Sequence, residues 1–406
     1  MTQKNNYCTV YTMLWCLMHL KGVLYHADII SVIFYGMVML MSLYCFGKVL
    51  LLTNQPTIIK VLNVLTIMFI LYGGMNIIAG GAIHTSWNII PADFYLKNIL
   101  NSILPIYAYY YFAKNGYITK KWIFVFAFIF LVIGLGRYYV GMQKAMALRM
   151  FDTDEVTNNA GYIILALMPL ACFFNKRPIL QYAYLAVCML LIVGAMKRGA
   201  ILIGVLCLVL FLFRFISSVP KKQKVIYLLL SVVIVCVSYY YILYMIDTSA
   251  YFDQRIQDTI NGHSSQRDTL YSYFLNFMFD RNIFFILLGQ GADTTVRFGP
   301  NYAHNDWLEI GVNQGLLGVA IYTFFMYQLF AFWQRAPKKS TMDTALGMIF
   351  IIFFCKSFLS MAVNNMEIYI SLVLGYSIAC SRNDVLLKAV SYTHLRAHET
   401  GRNLVC

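Results

Sequence analysis

His304-Asn305-Asp306-Trp307-Leu308-Glu309-Ile310-Gly311-Val312-Asn313-Gln314-Gly315-Leu316-Leu317-Gly318 decides how this chain is read. The stretch opens with an imidazole, an amide and two carboxylates, and closes into an apolar run that continues to Trp333. A hydrocarbon core needs ~20 apolar residues to cross, so this is titratable chemistry at the mouth of a membrane segment. Comparable apolar runs recur from Tyr7 to Cys380. Hydrophobic residues make up 60% of the chain and charged residues 12%, whereas a soluble domain carries about 25% charged residues. The mean hydropathy is +0.67. A soluble enzyme is excluded, and so is an outer-membrane barrel, because the runs are continuous rather than alternating. The expected fold is all-α, a polytopic integral membrane bundle.

Hydropathy predicts about twelve transmembrane spans, roughly 7–22, 28–51, 59–80, 94–112, 122–140, 158–174, 179–195, 200–216, 225–246, 311–333, 343–363 and 366–381. Lys120-Lys121, Lys176-Arg177, Lys221-Lys222 with Lys224, Arg335 with Lys338-Lys339, and Arg382 fall in alternate short loops. Positive charge stays inside, so both termini are expected in the cytoplasm. The net charge of +14 is then a topology signal rather than a footprint for nucleic acid. The largest outer loop, about 247–310, is expected on the periplasmic side. Its short apolar stretch Thr269 to Phe279 predicts an interfacial or re-entrant helix. Tyr109-Tyr110-Tyr111 and Tyr239-Tyr240-Tyr241 suit headgroup-level anchors.

One polytopic domain is expected over residues 1–388. Val390 to Thr400 and Asn403 to Cys406 read, in a single frame, as the codons of a transposase sequencing adapter. Residues 389–406 are therefore set apart from the fold. The remaining cysteines lie in or near spans, with no zinc spacing or disulfide framework. No phosphate-binding glycine loop, dinucleotide fingerprint or metalloprotease helix is present, and no internal repeat suggests a transporter.

Several groups carry candidate chemistry. His304 is the titratable side chain best matched to neutral pH. Asn305 and Asp306 serve either as helix N-cap or as substrate contacts, while Gly311, Gly315 and Gly318 permit close packing. Lys197 and Arg198 interrupt two apolar runs on the outer side, where a cation is costly unless it meets an anion. Arg267, with Arg255, Arg281 and Arg297, sits in the large loop, and Arg137 and Arg149 are further anion contacts. Lys356 and Glu367, in the last two spans, are expected to neutralise one another. Asp152-Thr153-Asp154-Glu155 could hold a divalent ion, but short acidic runs are common, and no metal and no cofactor are expected.

Lys197-Arg198-Gly199-Ala200, Ser265-Gln266-Arg267 ahead of an aromatic helix, and Leu288-Gly289-Gln290-Gly291 leading to His304-Asn305-Asp306-Trp307-Leu308 together resemble the O-antigen polymerase and ligase family. The chain departs from that pattern at Lys197, where the family has Ser, and at Gln266, where Gly is frequent. The resemblance implies a metal-independent membrane glycosyltransferase. It would join undecaprenyl-diphosphate-linked repeat units into a surface polysaccharide, an O-antigen or capsule. A ligase moving the polymer to lipid A–core or protein is the alternative, and a lipid-linked oligosaccharide flippase a third. The implied catalytic residues are His304, Arg198 and Arg267. The implied substrate contacts are Lys197, Asn305, Asp306, Arg255, Arg281 and Arg297. The implied partners are the lipid-linked glycan, membrane lipids and a chain-length regulator, with no nucleic acid. Arginine suits a diphosphate leaving group through its bidentate fork, and His304 suits activation of a sugar hydroxyl.

Overall fold

The computed structural model describes residues 6–20, 28–85, 89–149, 159–174, 177–195, 197–218, 221–248, 253, 257, 261, 267–338 and 340–381. The helices are α1 Asn6–His19, α2 Asp28–Leu50, α3 Thr57–Ala79, α4 Phe94–Lys114, α5 Lys120–Arg149, α6 Ala160–Leu165, α7 Pro178–Gly194, α8 Arg198–Ser218 and α9 Lys221–Thr248. They continue as α10 Arg267–Phe279, α11 Ile283–Leu288, α12 Thr294–Phe298, α13 Asp306–Arg335 and α14 Thr341–Leu359, and as α15 Ile368–Ser381. A 3-10 turn, Met168–Phe174, follows α6, and a small antiparallel hairpin pairs Ile83 with Ile90. The adapter-like residues 389–406 lie outside the described residues, as do Arg255 and Asp152 to Glu155.

Six described helices are long and apolar enough to cross a membrane: α2, α3, Lys120–Gln143 of α5, Lys224–Thr248 of α9, α13 and α14. This overturns the expectation of about twelve spans. Helix α1 has 14 residues, about 21 Å at 1.5 Å per residue, too short for the hydrocarbon core. Ala160–Phe174, Pro178–Gly194 and Ile368–Ser381 are apolar but also short. Helix α4 reaches 21 residues, yet it carries Lys97, Asn98, Asn101, Ser102 and a run of tyrosines. Several of these segments are core: Leu372, Val373, Leu374 and Ile378 of α15 are fully buried, as are Leu104, Ile106 and Ala108 of α4. Hydropathy registers burial from water, and it does not separate a lipid-facing helix from one enclosed by protein. Helix α9 is the opposite case, exposing Val225, Leu229, Val232, Tyr240 and Tyr244 along its length.

Enclosure also corrects the tyrosine anchor expected at Tyr109 to Tyr111, whereas Tyr239 and Tyr240 are exposed. Tyr107, Tyr109 and Tyr110 are buried, and their bundle is pinned by hydroxyl bonds between helices. Tyr109 pairs with Thr12 at 3.1 Å, Tyr107 with Thr66 at 2.9 Å, and Tyr11 with Ser42 at 2.8 Å. Such bonds hold helices together where water cannot compete.

The expected large outer loop is overturned as well, because its described C-terminal part is packed structure. Helices α10, α11 and α12 lie against α13. Phe274 and Met278 of α10 bury against Ala303 and Val312. The short amphipathic helix over 269–279 is present, held by a protein surface.

Candidate functional site

The site grows from the start of α13. Asn305 is the N-cap: its side-chain oxygen accepts from Trp307 N at 2.9 Å and Leu308 N at 3.2 Å. Capping satisfies amides that the first turn leaves unpaired. The residue before it, His304, takes a left-handed backbone, φ 50°, a conformation uncommon outside glycine. That turn fixes where the imidazole goes. Asp306 faces inward, accepting from Tyr322 Oη at 2.8 Å, Ala362 N at 3.0 Å and Val363 N at 3.2 Å. The carboxylate thus ties the start of α13 to the turn between α14 and α15.

Lys197 and Arg267 converge on His304. Burial lowers the His304 pKa to about 4, and the positive charges of Arg267 and then Lys197 push it the same way. Arg267, at the head of α10, donates to Leu359 O at 2.9 Å, at the end of α14. Lys197 holds its ammonium 6.0 Å from the Tyr162 ring centroid, and Lys356 lies on the same ring at 5.1 Å, within the range of cation–π attraction. Gly199 explains the small residue after Arg198. A Cβ there would come within 2.4 Å of the Tyr162 hydroxyl, so the start of α8 lies directly on that phenol.

Beneath Tyr162 is a narrow pocket lined by Lys356, Asn365, Glu367, Ile352 and Phe353. It has room for about one water, so a sugar ring does not enter it. Lys356 donates to Asn365 O at 2.8 Å. Glu367 is bonded to Arg137, at 2.5 and 3.2 Å. Lys356 and Glu367 share this pocket and feel each other's charge, as expected, but the bidentate partner of Glu367 is the guanidinium of α5, whose planar fork matches both carboxylate oxygens.

The remaining sequence candidates are dispersed. Arg198 begins α8 beside Gly199 and is engaged by neighbours. Arg281 is exposed and covers the Phe277 ring at 4.6 Å. Arg297 is bonded to Asn76 Oδ1 at 3.2 Å and Gly81 O at 3.3 Å, beside the hairpin. Asn305 and Asp306 are spent on the cap and the inward tie. Sequence reasoning missed Tyr162, because one tyrosine among 31 carries no signal. Among the described residues, no group of three or more His, Cys, Asp or Glu side chains could hold a metal.

The glycines have their own reason. Helix α13 breaks at Gly315, φ 67° and ψ −168°. The carbonyls of Val312 and Asn313, deprived of helical partners, accept from Gln290 N at 3.1 Å and Gly291 N at 3.0 Å. Two segments of the chain meet backbone to backbone here. A Cβ on Gly289 would fall 2.3 Å from Asn313 O, and one on Gly315 would fall 2.5 Å from Leu287 O. Irregular backbone in a membrane helix survives only when neighbours satisfy its polar groups, and the Leu288-Gly289-Gln290-Gly291 loop does that.

Together these features define a multi-pass α-helical membrane protein with a cationic, histidine-bearing cluster at one end of its bundle. No family model matches the chain, and no curated protein matches it.

Proposed function

We propose that the chain is a bacterial inner-membrane glycosyltransferase that polymerises polyprenyl-diphosphate-linked repeat units, with Lys197, Arg267 and His304 as its reactive centre. The supporting observation is the joint approach of two cations to one half-buried imidazole. Cleaving the anomeric C–O bond leaves negative charge on the departing diphosphate, which preorganised cations stabilise. Lys197 and Arg267 take that role, and Arg198 lies next in the chain for a second phosphoryl group. With its pKa lowered to about 4, His304 is neutral at pH 7 and free to accept the proton of the acceptor hydroxyl. A diphosphate between the two cations would offset their charge and raise the basicity of His304 as the donor arrives. The motif resemblance supplies the substrate class, and the outer-face orientation rests on the loop charges.

The test is His304→Ala and Arg267→Ala in a strain depending on this chain, with glycans resolved by length on gels. Both variants are expected in the membrane at normal amounts without long-chain product, leaving single repeat units on the acceptor. Wild-type chain lengths in both would overturn the assignment. Polymer stranded on the lipid carrier in a deletion strain would identify a ligase instead.

A further inference from the structure

Behind the His304 turn, two carboxylates are buried side by side. Asp293 is 2% exposed and Glu309 4%, and each charge is felt by the other and by the phenols of Tyr95 and Tyr302. Their surroundings differ sharply. Glu309 is saturated, accepting from Thr295 Oγ1 at 2.5 Å, Ala303 N at 2.9 Å and Asn313 Nδ2 at 3.1 Å. Asp293 has, among the described residues, one long contact, Asn76 Nδ2 at 3.5 Å, and that amide already donates to Ala92 O at 3.0 Å. Gln314 is 1% exposed. Its nitrogen donates to Tyr95 Oη at 2.8 Å, while its oxygen has no partner. The Tyr302 hydroxyl, also buried, lacks one too.

Among the described residues, Gln314 Oε1 therefore lacks a donor, the Tyr302 hydroxyl lacks any partner, and Asp293 has only one long donor. The charged and titratable groups facing Asp293 are Glu309 from α13, Arg297 from α12, Tyr95 from α4 and Tyr302 from the preceding loop. Arg297 supplies one positive charge against two carboxylates and spends its bonds on Asn76 and Gly81. A buried polar group without a partner is costly, and an uncompensated buried charge more so. We propose that Asp293 is a buried proton-binding site, its neutral carboxyl donating within the Gln314 and Tyr302 cluster and latching the Gly289–Gly291 loop into the break of α13. Glu309, held by its three donors, transmits the latch, because its bond to Ala303 N fixes the residue before His304. Burial and the neighbouring Glu309 charge push the Asp293 pKa up to about 7, so the latch weakens as pH climbs from about 4 to 7.

This inference concerns the local fold and stands whether or not the chain is a glycosyltransferase. Asp293→Asn keeps the shape of the neutral carboxyl and removes the titration. Hydrogen exchange of the full chain in lipid nanodiscs, corrected for intrinsic rates, reads the amides of Gln290 and Gly291 directly. In the wild type, protection at those amides is expected to fall by up to about tenfold per pH unit between pH 4 and 7 and to level off above pH 7, while in Asp293→Asn it stays flat. Equal pH dependence in both proteins would overturn the proposal. So would protection restored by sodium at constant pH, which would make the occupant a metal cation. If Asp293→Asn does not reach the membrane, Gln314→Glu provides the second arm. Adding a second negative charge beside Asp293 should push its proton loss, and with it the loss of protection, to higher pH, and an unchanged profile would equally refute the site.

Discussion

Gly199→Ala is the sharpest probe of how the site is assembled. The new methyl would lie 2.4 Å from the Tyr162 hydroxyl, where ordinary contact begins at 3.4 Å, so one of them must retreat by about 1 Å (3.4 − 2.4). The nearest Leu359 atom, at 3.5 Å, is already an ordinary contact and needs no movement. Tyr162 has little room, with Lys197 and Lys356 against its ring. Overpacking of this kind costs about 1–3 kcal/mol, and removing the hydroxyl should return most of it. Gly199→Ala, Tyr162→Phe and the double variant form a cycle, read by thermal unfolding in nanodiscs and by glycan chain length. We expect Gly199→Ala to be destabilised, and the double variant to sit close to Tyr162→Phe alone, a coupling of about 1–3 kcal/mol. Additive losses would mean that the methyl meets something other than the phenol, and the contact between α6 and α8 as described would be wrong.

Three further outcomes follow from the geometry. Gly315→Ala should prevent accumulation of folded protein, because φ 67° is strained for alanine and its Cβ would strike the Leu287 carbonyl; normal levels in the membrane would contradict the interlocked backbones. Asn305→Ala should cost about 0.5–2 kcal/mol through loss of the cap, measured by unfolding, and Asn305→Asp should restore it. For His304 the folded pKa lies below the ordinary value of 6.5, so the unfolded chain binds more protons between pH 4 and 6.5. Its contribution to stability is therefore complete above pH 6.5 and is lost as pH falls toward 4. Asp293 has the opposite sign: its raised pKa makes stability fall as pH climbs from about 4 to 7. The two slopes oppose each other in the wild type, and unfolding of Asp293→Asn against pH should expose the histidine slope alone.

Much of the site was legible because its signals are chemical exceptions. A lysine and an arginine between apolar runs, or a histidine at a helix mouth, contradict their surroundings, and the charges of Arg267 and Lys197 both bear on His304. Asn305 as a cap was readable from residue type and position. The number of spans was not legible, because α4 and α15 are apolar from enclosure by protein rather than by lipid. Neither was the partner of Glu367, since Arg137 lies 230 positions away in the chain. Arg281 and Arg297 looked equivalent to Arg267 in sequence; only packing separates a ring contact and a hairpin clasp from the charge that reaches His304.

Cations gather at this end of the bundle. The charges of Lys197 and Arg267 both bear on His304, and Lys356 shares the Tyr162 ring with Lys197, while Arg137 is bonded to Glu367 and Asp306 to backbone amides. Cations next to a hydrocarbon core are costly unless an anion shares the site. A dianionic group such as a diphosphate would meet two of them at once, and a neutral glycan alone would not. Inorganic pyrophosphate should therefore raise the unfolding temperature of the nanodisc protein, by an amount corresponding to about 2.7 kcal/mol at a hundred times its dissociation constant. Arg267→Gln should blunt the effect, and Arg281→Gln, on the exposed Phe277 ring, should not. Equal stabilisation of both variants would mean that the anion binds elsewhere. The cluster around His304 would then be a device for packing helices rather than a site for a leaving group.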